Sequence, residues 1–319
     1  GKSEIETKMG RIELSKGKFL ETTHYFIDSK ELLEKSGEID KTLSTFKKEG
    51  FNNVVAAESY SVDNPENENK IIELAREKGL YGTASHEISK LYGLKTRTRT
   101  AVINASIIPK MMETADMTET SVIEAGIKTP LMIMRCDGGV MTIDEVRKRP
   151  ILTMLSGPAA GVAGALMYER VSDGIFLEVG GTSTDISVIK DGNVMVNYAE
   201  IGGHKTYLNS LDVRTVGIAG GSMVKVDNRK IVDVGPRSAH IAGYEYETFA
   251  KDGEILNPKI KYISPIEGDE KKYAVIESEN GKIYSLTLAG AANLAGMVPK
   301  GDYARGNIKE IGRASCRER

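Results

Sequence analysis

The chain has 319 residues, with 43 lysines and arginines against 45 aspartates and glutamates, a formal net charge of -2. So even a balance creates no long-range field for a polyanion and excludes nucleic acid and anionic membrane as expected partners. Two cysteines exclude a disulfide framework and suit a reducing, cytoplasmic setting, and no apolar run reaches the ~18 residues of a membrane span.

In chain order, Arg11 to Leu14 and Phe19 to Phe26 read as strands around a Lys16-Gly17 turn. Lys30 to Lys48 reads as an amphipathic helix, Asn53 to Ala57 as a strand, and Pro65 to Lys78 as a helix with proline in its first turn. Such alternation is the signature of an α/β fold. Thr98 to Met112 reads as helix despite Pro109. Leu131 to Met134 is a strand that feeds the turn Asp137-Gly138-Gly139, and Thr142 to Glu145 is a capping box for a short helix ending at Pro150. Cys136, beside the apolar run, is expected to be a partly buried small residue.

Leu155 to Ala165 reads as a helix start, with Ser156 or Gly157 as cap and Pro158 in the first turn. Gly157, Gly161 and Gly164 recur on one face, which would let the helix axis lie close to a neighbouring strand. The helix N-terminus could equally face phosphate, and the two readings are compatible.

Phe176 to Val179 reads as a buried strand that stops abruptly at Gly180-Gly181-Thr182-Ser183-Thr184-Asp185. Two glycines let the backbone approach an anion, and the turn's N–H groups, with Thr182, Ser183 and Thr184, can donate to phosphate oxygens. Three hydrogen bonds to a charged group would supply roughly 4 to 9 kcal/mol. Asp185 is a poor phosphate ligand by charge, so its expected use is to hold Mg2+ or orient a water. The alternative is an ordinary Gly-Gly turn with exposed hydroxyls.

Ile186 to Ile189, the Asp191-Gly192 turn and Val194 to Val196 then read as a hairpin. The loop therefore joins two strands, whereas a Walker-type loop or Rossmann fingerprint runs from strand into helix. Strand, Gly-Gly-Thr-x-Thr-Asp, strand resembles the actin, sugar-kinase and heat-shock-chaperone ATPases, whose lobes are ribonuclease H-like. A second turn, Gly217 to Ser222, could present the N–H groups of Gly220 and Gly221 and the hydroxyl of Ser222. A helix-entry turn is its alternative. Asp137, Gly138 and Gly139 could line the same cleft on the substrate side, with a plain turn as the alternative. The histidines, His24, His86, His204 and His240, lack metal-ligand spacing. From Phe249 the chain changes to charged β-like segments, Lys259 to Ile263, Tyr273 to Glu277 and Lys282 to Leu288.

In combination, Met132 to Met141, Leu155 to Ala165 and the Gly180 to Asp185 loop resemble the hydantoinase A / 5-oxoprolinase family, which also includes ATP-dependent ketone carboxylase subunits. Asn64 to Glu68 resembles the family's Asn-Pro-x-His-Glu, and Arg97 with Asn104-Ala105 its Arg and Asn-Ala helix. Asp212 to Ser222 resembles its Asp-Val-His-Thr-Ile-Gly-Ala-Gly-Gly-Gly-Ser, and Gly235 to Ala239 the next block. Asn67 and Arg214 stand where the family commonly has histidine, so no histidine role is carried over to them. His240 to Tyr246 replaces a Pro-Gly-Pro-rich segment.

The resemblance implies an actin-like ATPase fold that uses ATP and Mg2+, with Asp185 as catalytic and metal-holding residue. Gly180, Gly181, Thr182, Ser183, Thr184, Gly157, Gly220, Gly221 and Ser222 would bind the nucleotide, and Asp137, Gly138 and Gly139 the substrate. The implied reaction is ATP-dependent hydrolysis of a cyclic amide, hydantoin or 5-oxoproline, through a phosphorylated intermediate and beside a companion B-type subunit. A ketone carboxylase subunit and a non-catalytic nucleotide-binding module are the alternatives. Family members open with a first Asp-x-Gly-Gly-Thr loop, which this sequence lacks, so a fragment is expected. The expected division is residues 1–150 as a partial first lobe and 151–248 as a second lobe carrying the loop. A truncated β-rich subdomain would follow at 249–310, and 311–319 would be a vector or assembly scar.

Overall fold

Helix and strand alternate through the first half of the chain because the apolar period switches between 3.6 and 2. The computed structural model describes residues 3–15, 17–32, 34–251 and 253–299, and the segment 311–319 lies outside the described residues. The architecture is mixed α/β and divides into two units. One runs to Val171 and includes Gly192–Asp212; the other holds Ser172–Asp191 and the chain from Val213 on.

In the first unit, Ile12–Ser15 and Lys18–Leu20 form an antiparallel hairpin. Helix Ser36–Lys48 buries Ile39 and Leu43, four residues apart, against Leu32, Ala75 and Leu80. Strand Asn53–Ala56, helix Glu66–Glu77 and strand Tyr81–Ala84 make a parallel βαβ unit, with Asn53 opposite Tyr81 and Ala56 opposite Ala84. The sequence reading contains no strand at 81–84, because Gly82 interrupts its β pattern. That glycine has a packing reason: a Cβ there would come within 2.6 Å of Ile72 on the covering helix.

Helix Leu94–Glu124 continues through Pro109 and well past Met112, its later turns held where Ala115 packs with Met141, Ile143 and Val146. Strands Met132–Met134 and Val140–Thr142 pair as a hairpin, and Thr142 caps helix Ile143–Lys148 by accepting from the Glu145 N–H. An antiparallel ribbon, Val196–Ile201 with His204–Leu211, contributes Ala199, Ile201 and Leu208 to a core with Ile103, Cys136 and Ile151.

Helix Ser156–Glu169 departs from expectation in two ways. Its cap is Leu155, in left-handed conformation at φ 61°, rather than Ser156 or Gly157. Only Ala159 and Val162 are buried, and a Cβ at Gly157 or Gly164 would meet nothing within 4 Å. The close approach expected of the glycine face is therefore not made at those two positions.

In the second unit, strands Val213–Val216, Thr184–Lys190 and Gly174–Val179 pair antiparallel in that spatial order. A larger sheet runs Lys230–Ser238, Ser222–Asp227, Tyr273–Glu277, Ile283–Ser285, Glu245–Tyr246, with Lys259–Ile263 also on Tyr273–Glu277. Met223, Ala239, Tyr273 and Val275 form its core, beside Ala250, Ile255, Ile276 and Tyr284. The strands at 259–263 and 273–277 match the sequence reading. They belong to the same sheet as 222–238, however, so the β-rich segment is no separate layer from the chain before Phe249. The unit boundary likewise falls after Val171 rather than after Pro150. Among the described residues no helix is long and apolar enough to cross a membrane.

Candidate functional site

Val179 pairs with Thr184, so Gly180 to Ser183 form the tip of an antiparallel hairpin, closed by the Gly180 N–H donating to the Ser183 carbonyl at 3.0 Å. The N–H groups of Gly181, Thr182 and Ser183 donate to no backbone partner among the described residues, and Gly181 and Thr182 are exposed. Successive unpaired N–H groups on a tight turn make a concavity for an anion. At the far end of this hairpin's second strand, Asp191 and Gly192 both have positive φ, 52° and 71°, as the Asp-Gly turn reading requires.

Strand register fixes the surroundings of Asp185. Glu178 lies directly opposite it on one side and Thr215 on the other, and the Thr215 hydroxyl donates to Asp185 Oδ1 at 2.5 Å. Two carboxylates facing each other across a strand pair repel, an arrangement that a cation relieves. Neither Glu178 nor Thr215 is marked by the sequence, since only pairing brings them to Asp185. Among the described residues no cluster of three or more His, Cys, Asp or Glu could hold a metal by itself.

The second glycine turn lies against the first, in a role other than the expected one. The Gly220 N–H donates to the Gly180 carbonyl at 3.2 Å and the Gly221 N–H to the Gly181 carbonyl at 2.8 Å. A Cβ on Gly221 would overlap the Tyr246 hydroxyl and stand 2.7 Å from the Gly181 carbonyl, so glycine is required for this contact. Ser222 is buried, its Oγ accepting from the Ala219 N–H at 2.8 Å, and the Thr184 hydroxyl donates to the Ile218 carbonyl at 2.6 Å. These groups were expected to donate to phosphate. The N–H groups of Gly220 and Gly221 and the Thr184 hydroxyl are already engaged as donors, Ser222 Oγ is buried as an acceptor, and together they set the shape of the turn that carries Gly181, Thr182 and Ser183.

A cavity of about 70 Å³ opens beside Thr182, walled by Pro236, Arg237, Ser238 and Ile241. Arg237 is fixed there by a two-pronged pair with Asp269, 2.8 Å at each contact, which holds the Asp269 carboxyl below the usual carboxylate range.

The remaining expected site residues belong to the first unit. Gly157 lies near the start of helix Ser156–Glu169, and Asp137 to Gly139 form the turn between two hairpin strands rather than a strand-to-helix turn. The Asp137 carboxylate is internally engaged, accepting from the Gly139 N–H at 3.1 Å and paired with Arg135. Cys136 is fully buried, its thiol donating to the Asn209 carbonyl, and burial pushes that thiol up to about 11, an unreactive state.

The chain is similar in sequence and in fold to proteins of known name. Caprolactamase subunit alpha of Pseudomonas jessenii is 27% identical over 209 residues, covering 63% of this chain and 30% of that protein. The crystal structure of ATP-dependent caprolactamase from the same organism superposes with a TM-score of 0.61 at 21% identity, covering 97% of this chain and 40% of the other. Nucleotide-free acetone carboxylase superposes with a TM-score of 0.59 at 19% identity, covering 88% and 37%. The chain thus spans a third or less of the length of the protein sequences it matches. A profile described as Hydantoinase/oxoprolinase matches residues 97–316, more than half of the chain, and the chain belongs to that family.

Proposed function

We propose that this chain is the nucleotide-binding part of a larger enzyme that hydrolyses a small cyclic amide, of hydantoin or 5-oxoproline type, in an ATP-dependent reaction. The observation that carries the reading is the exposed turn Gly181 to Ser183, with three unpaired N–H groups and two hydroxyls at the tip of a hairpin. Family membership supports it, as does the name of a relative whose substrate, a caprolactam, is a cyclic amide. The fold that accommodates it is the actin-like ATPase type, and the partner would be a companion B-type subunit, as a relative named subunit alpha suggests.

Gly181, Thr182 and Ser183 would hold the ATP phosphates, on a turn positioned by Gly180, Thr184, Gly220, Gly221 and Ser222. The same reading keeps Gly157 on the nucleotide side, and Asp137, Gly138 and Gly139 on the substrate side. Asp185 and Glu178 fit the one or two carboxylates that Mg2+ takes beside substrate phosphates, where the ion would neutralise charge. Transfer of the γ-phosphoryl group to the amide oxygen would release ADP and make that oxygen a leaving group. Water could then add at the carbon, the ring C–N bond break as the nitrogen takes up a proton to leave an acyl phosphate, and a second water release inorganic phosphate and the free carboxylate. Such transfer needs positioning and charge neutralisation more than covalent help.

Titration calorimetry of the chain with Mg-ATP is expected to give saturable binding, weakened by roughly tenfold or more in Asp185→Ala. No heat from the unaltered chain rejects the proposal. In the longer protein, ring opening without ADP release would do the same, and ATP turnover that requires bicarbonate favours a carboxylase instead.

A further inference from the structure

Strand Lys230–Ser238 ends beside the glycine hairpin, and main-chain hydrogen bonds fix the two segments against each other. The Ala239 N–H donates to the Gly221 carbonyl at 2.9 Å, and the Gly221 N–H donates to the Gly181 carbonyl at 2.8 Å. Two consecutive residues at the end of this strand, Arg237 and Ser238, thereby wall the cavity that opens beside Thr182. The rest of the wall is apolar, from Pro236, Ile241 and Ile266. Its volume is about 70 Å³, less than half of the ~150 Å³ that accommodates a benzene ring. One compact polar group fits there, and a purine base does not.

Ser238 is 3 % exposed, and its hydroxyl has no hydrogen-bond partner among the described residues. Native interiors leave few such groups unpaired unless a ligand or water meets them. Rotation about χ1, between staggered positions, redirects the hydroxyl without moving the strand. Arg237 has spare donors as well. Its Nε and Nη2 each give one hydrogen to Asp269, at 2.8 Å. A guanidinium carries five N–H groups, so three remain, two on Nη1 and one on Nη2, along the edge away from that carboxylate. None of the three has a partner among the described residues. The Asp269 pair fixes the guanidinium plane, and two parallel N–H groups on such a plane match the oxygens of a phosphate. The open valences of this wall, at Arg237, Ser238 and the exposed Thr182, can all donate, which selects an anionic acceptor.

We propose that this cavity is a subsite for one terminal phosphate group, received by Arg237 and Ser238 while Gly181 to Ser183 hold the phosphates before it. Choosing the terminal phosphoryl group of a nucleotide over free inorganic phosphate rests on the proposed function. The subsite itself rests on the cavity and its unpaired donors.

The test is calorimetric titration of the full chain with Mg-ATP, Mg-ADP and inorganic phosphate, in the parent and in Ser238→Ala. The serine hydroxyl has no partner to lose, so the variant should melt as the parent does. It is expected to bind Mg-ATP roughly tenfold more weakly and Mg-ADP as the parent does, because only the triphosphate reaches the subsite. Arg237→Lys keeps the charge, removes the fork and should show the same split. If Ser238→Ala spares Mg-ATP and loses inorganic phosphate instead, the subsite stands and its occupant is the free ion. Unchanged affinity for both, or equal weakening of Mg-ATP and Mg-ADP, overturns the subsite. If Ser238→Ala melts early, Arg237→Lys decides. A parent that binds inorganic phosphate through Ser238 but no Mg-ATP counts against the nucleotide reading and not against the subsite, whereas a parent that binds neither rejects both.

Discussion

Glu247 shows how far one buried carboxyl can govern this protein's behaviour. It is 1 % exposed, accepts weakly from the Thr287 N–H at 3.3 Å, and fills the space that a Cβ at Gly290 would need. Burial pushes its carboxyl up to about 7, with the Thr287 N–H pulling the other way. A folded pKa above the unfolded one contributes stability that is fully present below about pH 4.5 and lost as pH rises through about 7. The size of that loss is about 3 kcal/mol. Glu247→Gln is therefore expected to melt higher than the parent at pH 8 and to lose this advantage at pH 5. A melting difference that is the same at both pH values would refute the assignment. Such sites are illegible in sequence for a plain reason: Glu247 meets Thr287 only because strands Glu245–Tyr246 and Ile283–Ser285, far apart in sequence, pair. The glycine-rich turn was legible because its chemistry is local, whereas the engagement of Gly220, Gly221 and Thr184 was not.

At the scale of elements, most helices and hairpins followed their local patterns; strand Tyr81–Ala84 and the cap at Leu155 were missed, and the strand before the glycine turn was an error of burial. Phe176 to Val179 reads as a buried strand from its apolar residues, and the structure extends it to Gly174–Val179. In the structure Ile175 and Val179 are each 69 % exposed, and Val188, opposite Ile175, shares that open face. Periodicity identifies a strand's apolar face but cannot say whether another layer covers it. Gly174–Val179 also ends the strand order of its sheet, so it offers both an apolar face and a free backbone edge among the described residues. That combination promotes self-association. The double substitution Ile175→Thr with Leu177→Lys is expected to reduce light scattering and high-mass species of the chain, with little change in melting temperature. Scattering equal to that of the parent would mean that association proceeds elsewhere.

At the scale of the whole molecule, the chain passes between its two units three times, after Val171, Asp191 and Asp212. The excursion Gly192–Asp212 carries the ribbon of the first unit, yet it is flanked on both sides by strands of the second, Thr184–Lys190 and Val213–Val216. Those strands pair with each other, so the ribbon closes a loop whose ends are held by the second unit. Loss of ribbon packing should therefore lower the protection of both flanking strands, although they belong to a different unit. Leu208 is the place to test this, since it is 2 % exposed and packs with Ile103, Cys136 and Ile151. Leu208→Ala should cost about 2 to 5 kcal/mol. Hydrogen exchange read by mass spectrometry is then expected to show faster exchange in 196–211 and, to a smaller degree, in 184–190 and 213–216. Strands Lys259–Ile263 and Tyr273–Glu277, paired with each other in the second unit's larger sheet, should keep the parent's rates. Faster exchange confined to the ribbon would mean that the two units open independently. Uniform acceleration everywhere would mean that they unfold as one.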